Sequence, residues 1–183
     1  KKDLFNYIRI SEPFSDNDYN FAGRPPFRLD LLVNYNNNKT PLSLINIHMK
    51  CCDSGLQRRK NAVKMLHEYM SEYYHQNPDI IILGDWNDDT KDKPGEHSFD
   101  SFMMDSRFYF VTHDITYDIS QASYPKEPWV SFLDHILVSK NLFSKESSYD
   151  VHTIKMGEFM KSYNIYEAYI SDHLPVYLSI PFK

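Results

Sequence analysis

Glycine is scarce in this chain, 5 of 183 residues, against a usual fraction of about 7%, which excludes a collagen-like repeat. Cysteine is scarcer still. Cys51 and Cys52 are the only two and they are adjacent, so the Cys-x-x-Cys spacing of a zinc site is absent. No apolar run approaches the ~20 residues that a membrane-crossing helix needs. There is no basic excess either: 20 Lys and Arg stand against 25 Asp and Glu, a net charge of −5. A chain of that sign is not a general electrostatic binder of nucleic acid. It can still cut a phosphodiester if metal ions supply the positive charge locally. No internal repeat or linker divides the sequence, and its length suggests one domain over 1–183. What is plentiful is aromatic: 14 Tyr and 12 Phe, within a chain that is 42% hydrophobic and able to bury a sizeable core.

Periodicity places the main elements. Residues 5–10 and 27–35 read as strands, and 42–48 as a third, joined to the second through a turn over 36–40. Ala62, Met65, Leu66, Tyr69, Met70 and Tyr73 recur at helical spacing and predict a helix over 57–74, with Asp53 or Ser54 as its cap. Ile80-Ile-Ile-Leu83 is short and β-branched, the pattern of a strand buried on both faces. Residues 88–98 read as a polar loop and 118–131 as a long one. Further strands are expected at 108–112, 132–139, 151–156 and 176–180. The class is α/β (α+β): stacked sheets with helices outside.

Polar clusters sit at the ends of the best strands: Asn46-Ile-His48, Gly84-Asp85-Trp86-Asn87, Asp134-His135 and Ser171-Asp172-His173. Carboxylates, imidazoles and an amide in such places suit metal-assisted hydrolysis, with hard oxygen ligands favouring Mg²⁺ or Mn²⁺. If the strand runs on, Asp85 and Asn87 project to one side. Asp134 lies in an apolar strand and wants a partner, for which a histidine would serve. Each cluster alone also has a bland reading, as a turn, a buried pair or a loop cap. Their conjunction is what points to chemistry.

The motifs Ile45-Asn-Ile-His48, Ile82-Leu-Gly-Asp-Trp-Asn87, Leu133-Asp-His-Ile-Leu-Val-Ser139 and Ser171-Asp-His-Leu-Pro-Val176 together resemble the endonuclease/exonuclease/phosphatase superfamily. The resemblance implies a DNase I-like β-sandwich flanked by helices. It implies a divalent-metal-dependent phosphodiesterase, with a nuclease acting on DNA or RNA as the leading reading. On that pattern His48 contacts the phosphate or leaving group, Asp85 aligns the attacking water and Asn87 holds the phosphate. Asp172, with Asp85, belongs to the metal site. His173 lies on the scissile phosphate, oriented by Asp134. An inositol-phosphate or sphingolipid hydrolase is the alternative, although Leu133-Asp134-His135 lacks the Cys-Asp-Arg context of the inositol type. A non-catalytic module on the same fold is a third reading. The family's early asparagine and metal-binding glutamate have no counterpart in these 183 residues. The resemblance therefore implies about the C-terminal two-thirds of a domain, inactive alone, with sheet surface open to self-association.

Asn46, Arg59 and Trp129 are further candidates for substrate contact. Arg58-Arg59-Lys60 opens the long helix, where cations oppose the helix dipole; the basic run reads as a phosphate contact or a solvated turn. Arg24 or Arg28 could line the site. Trp129, Tyr124 and Trp86 could stack on a base or lipid group, or simply pack. Cys51 and Cys52 are open to three readings: free thiols, a strained vicinal disulfide, or partners of upstream cysteines. Their placement after His48 resembles secreted bacterial relatives and tilts the expected location to extracytoplasmic.

Overall fold

The computed structural model describes residues 5–35, 37–142 and 149–180. Its centre is a six-stranded sheet built from β1 (Phe5–Ser11), β2 (Phe27–Tyr35), β3 (Asn38–His48), β4 (Ile80–Asp85), β5 (Phe108–Phe110) and β6 (Asp134–Ser139), in the order β1-β2-β3-β4-β6-β5. β3 and β4 run parallel and every other neighbour is antiparallel. The parallel pair needs a crossover, and α1 (Leu56–Tyr74) supplies it. A separate antiparallel pair, β7 (Asp150–Thr153) and β8 (Val176–Ser179), forms a second small sheet. Short helices α2 (Asp100–Met103), α3 (Met156–Phe159) and α4 (Tyr163–Tyr169) complete the chain. Among the described residues no helix is long and apolar enough to cross a membrane.

Alternation along the central strands divides the core in two. Ile45 and Ile47 of β3, Ile80 and Ile82 of β4, and Leu137 of β6 pack with Ala62, Val63, Leu66 and Met70 of α1. The other parity, Leu42 and Leu44, Ile81 and Leu83, Ile136 and Val138, packs with Val151, Val176 and Leu178 of the small sheet. Each fully buried side chain of this size contributes roughly 1.5–3 kcal/mol, so both faces of the central strands are firmly specified. A one-residue register slip would exchange the two sets.

Several expectations need correction. Neither Asp53 nor Ser54 caps α1: a 3-10 turn over Asp53–Gly55 leads straight into it, and no side chain bonds its start. The hairpin turn is tighter than 36–40, because β3 already begins at Asn38; Asn36 lies outside the described residues. Asp88, Asp89, Thr90, His97 and Ser98 are buried, so the stretch 88–98 is not simply a solvated loop. Asp88 is held by Arg59 and by the Ser98 amide, at 3.1 and 2.9 Å. Helices α2, α3 and α4 are additional to the expected elements.

Candidate active site

Strand register builds the site. His48 is paired with Asp85 across β3 and β4, and Asp85 with Asp134 across β4 and β6. All three share the parity of Leu44, Leu83 and Ile136, so they stand in a row on one face of the sheet at its end. Trp86 and His135 have the opposite parity and turn into the core beside Phe99 and Phe110. Trp86 is fully buried, donating from Nε1 to the His135 carbonyl. It is therefore a core residue and no stacking platform.

Distances tie the row together. His48 Nε2 lies 3.2 Å from Asp85 Oδ2. His173 reaches in from the loop before β8, with Nδ1 2.7 Å from Asp134 Oδ2. Two bonds from α4 fix that loop: Tyr166 Oη donates to the His173 carbonyl at 2.9 Å, and Tyr163 Oη to the Asp172 carbonyl at 2.7 Å. Ser123, wholly buried, joins the two sides. Its hydroxyl accepts from the Leu133 and Asp134 amides at 3.0 Å, and its carbonyl accepts from Leu174 N at 2.7 Å. Sequence reasoning missed Ser123 and α4, because a serine in a loop and a seven-residue helix carry no distinguishing pattern.

Asp85 and Asn87 do meet, but not by strand alternation. β4 ends at Asp85, and Asn87 takes a left-handed backbone with φ 53°. That turn lets Asn87 N donate to Asp85 Oδ1 and Nδ2 to Oδ2, both at 2.8 Å. Nδ2 also donates to the Met49 carbonyl at 3.2 Å, so both amide hydrogens have acceptors. Gly84 allows the close approach. At φ 132° a Cβ there would sit 2.1 Å from the Ile47 carbonyl oxygen.

The electrostatics separate the four groups. Burial, then the Asp134 charge, pushes Asp85 up to about 6. The hydrogen bond to Asp134 raises His173, favouring its imidazolium. Burial, then Arg24, lowers His48. His135 is pushed down to about 4 by complete burial. Its ring sits between Thr112 Oγ1 and the Asp88 carbonyl, both at 3.0 Å, which suits a neutral imidazole that braces the 88–89 backbone.

The row opens into a cleft of about 920 Å³ whose wall includes seven aspartates and one arginine, Arg59. Asp172, exposed, and Trp129, 70% exposed, both stand on that wall. Tyr124 lines it too, its ring centroid 5.2 Å from that of His173. Asp89 and Asp92 also line it; only the density of aspartate over 85–92 could have signalled them. Burial and then Asp89 raise Asp92. Asn46 is exposed but outside the wall. Arg59 is not part of a solvated turn: it is buried, paired with Asp88 and donating from Nη1 to the Lys50 and Cys52 carbonyls at 2.8 Å. Arg28 lies away from the site, bound to Asp30 and Tyr69, whereas Arg24 donates to the Met49 carbonyl. Cys51 and Cys52 are free thiols on the wall. One oxygen each from Asp85 and Asp134 and one nitrogen from His173 lie within 4.8 Å of one another, a group that could hold a metal ion; Asp172 is not in it.

No protein-family model matches the chain, and no curated protein matches its sequence. Solved structures do match in shape. D. rerio TDP2 complexed with single-strand DNA product superposes with a TM-score of 0.62 at 18% identity, over 98% of this chain and 70% of that one. The human Nocturnin catalytic domain with bound sulfate gives 0.62 at 16%, over 100% and 61%. A mannosyl-6-phosphatase from Bacteroides thetaiotaomicron gives 0.58 at 19%, over 100% and 69%. The chain thus has the DNase I-like fold of these proteins, as its four motifs implied, and spans about two-thirds of their length.

Proposed function

We propose that this chain carries the catalytic end of a divalent-metal-dependent phosphoester hydrolase that acts on nucleic-acid phosphodiesters. The observation that carries the proposal is the row His48–Asp85–Asp134 closed by His173, brought to one sheet end by register. Two similar folds add support: one is complexed with single-strand DNA product and another holds sulfate, a tetrahedral anion shaped like phosphate.

The donor set fits a hard cation. Asp85 and Asp134 are neighbours with no arginine hydrogen-bonded to either among the described residues, and Asp85 is pushed up to about 6 in consequence of its burial and of Asp134. A half-buried pair of facing carboxylates is an environment that a cation relieves. Mg²⁺ or Mn²⁺ would be held by Asp85 and Asp134, whose oxygens lie together, with Asp172 as a further carboxylate on the cleft wall. When bound, the ion would neutralise charge on a phosphoryl oxygen as a Lewis acid.

The chain's own residues do the rest. Asp85, ionised above pH about 6, aligns the attacking water and accepts its proton. Asn87 fixes both Asp85 oxygens; letting go of the Met49 carbonyl would free its amide for a phosphoryl oxygen. His173, its imidazolium favoured by the bond to Asp134, faces the charge that builds on phosphorus-bound oxygens. His48, neutral at pH 7, contacts the leaving group through its imidazole. Trp129 and Tyr124 offer aromatic faces to a base.

The test is hydrolysis by the full-length protein of single-stranded DNA, RNA and a sugar phosphate, each with Mg²⁺, Mn²⁺ or chelator. Metal-dependent cleavage of nucleic acid is expected, falling by roughly 10²–10⁴-fold in Asp85→Ala. Release of phosphate from the sugar phosphate alone would move the substrate to monoesters and keep the site. Folded protein that hydrolyses none of them would sink the proposal.

A further inference from the structure

Cys51 and Cys52 take no part in the hydrolytic site, yet they stand on the wall of its cleft. Their Sγ atoms are 2.9 Å apart and both thiols are free. Lys50 Nζ lies 3.6 Å from Cys51 Sγ. Cys52 has φ 68° and ψ 166°, a backbone region held almost only by glycine. Arg59 bonds the carbonyls of Lys50 and Cys52, one on each side of Cys51, at 2.8 Å. The loop is therefore pinned with its two sulfurs together, which lowers the entropic cost of joining them.

We propose that Cys51 and Cys52 form a thiol–disulfide exchange site that takes small organic disulfides from the cleft. In the first step the Cys51 thiolate attacks one sulfur of the small disulfide. The S–S bond of that molecule breaks, one thiolate leaves, and it takes up the proton that Cys51 released. In the second step Cys52, as thiolate, attacks Cys51 Sγ and expels the second small thiolate, which takes the proton from Cys52. Two protein thiols are oxidised to one disulfide, and one small disulfide is reduced to two thiols.

The asymmetry of the pair sets the order. The hydrogen bond from Cys52, followed by Lys50, lowers the Cys51 thiol, whereas Cys52 is raised by its role as donor. Cys51 is thus the attacking sulfur and Cys52 the resolving one. Adjacent Cα atoms are about 3.8 Å apart, below the usual disulfide range that starts near 4.4 Å. The bond between neighbours is consequently labile and reversible, unlike a structural disulfide.

Intact mass of the full-length protein after incubation with glutathione disulfide tests this without any assay of ester hydrolysis. The expected product has lost two hydrogens, and dithiothreitol restores the starting mass. Cys52→Ser should stop one step earlier, with one glutathione attached to Cys51; Cys52→Ala serves if the serine variant does not fold. Cys51→Ser should react far more slowly. Phenylarsine oxide gives a second measurement: two adjacent thiols condense with it and release one water, so the wild type takes up one arsenical and either single variant none. An unchanged mass in glutathione disulfide, or a wild type arrested as the mixed disulfide, would overturn the proposal.

Discussion

Two aspartate–histidine clusters in this molecule use the same residue types to opposite ends. On the helix side of the sheet, Asp105 lies 2.8 Å from His67 Nε2 and 2.6 Å from Arg107 Nη2. The Arg107 guanidinium beside it holds the Asp105 carboxyl well below the usual carboxylate range. At the strand ends, Asp134 meets His173 and Asp85 meets His48, but the carboxylates face each other and Asp85 is pushed up to about 6. The difference is the arginine. With it, the charge is matched and the cluster anchors α1 to the segment before β5. Without it, the cluster keeps an excess of negative charge that a bound cation would match. Arg28–Asp30 and Arg59–Asp88 follow the matched pattern and, like Asp105, stabilise structure.

The contrast is sharpened first by Asp134→Asn. Loss of that charge removes the main support of the His173 imidazolium and one cause of the high Asp85 value. Hydrolysis should fall about 100-fold, while NMR titration shows His173 losing its proton at lower pH than in the wild type. A His173 titration that stays put would break the assignment.

Asp105→Asn tests the matched cluster. It should lower stability by about 2 kcal/mol in urea unfolding at pH 7, allowing for its partial exposure, with hydrolysis per folded molecule unchanged. The sign follows from a depressed folded pKa: the contribution is present above the unfolded value of 3.8 and is lost as pH falls through the folded one. The gap between variant and wild type should therefore close in acid.

Asp85→Asn tests the unmatched one. Its raised folded pKa means that burial of the charge costs stability as pH climbs from 3.8 to about 6 and beyond. The inactive variant should be more stable than the wild type by about 1 kcal/mol at pH 7.5 without metal, the relief less the lost Asn87 bond. It should show no gain at pH 4. A variant less stable than the wild type at pH 7.5, with the gap closing at pH 4, would place Asp85 in the matched class.

Trp129→Ala should have the smallest effect. Its exposed ring contributes stacking only, so KM for single-stranded DNA should rise about tenfold or less with kcat and stability unchanged.

Much of this was legible along the chain. β2 and α1 fall close to where alternation and helical spacing put them, because burial of one face dictates both patterns. His48, Asp85, Asp134 and His173 stood out as polar residues at strand ends, and the four do come together. Asn87 was found for an incomplete reason: a left-handed turn, not strand parity, brings it to Asp85. Trp86 and Arg59 could not be placed from spacing alone. Whether an aromatic after a strand faces solvent depends on which sheet face is covered, and whether a helix-start arginine is solvated depends on Asp88, 29 residues away.

The sequence by itself determined the residue types, the strand-end positions and the opposed parities that separate Asp85 from Trp86 and Asp134 from His135. Those follow from a period of two and from the cost of burying unpaired charge. Arg28 and Asp30, like Asp105 and Arg107, are only two positions apart; tertiary structure decided that Asp88 receives Arg59 and that Asp85 and Asp134 receive each other. Pairing across β3, β4 and β6 joins residues dozens of positions apart, and a charge acts over ångströms of space irrespective of its distance along the chain.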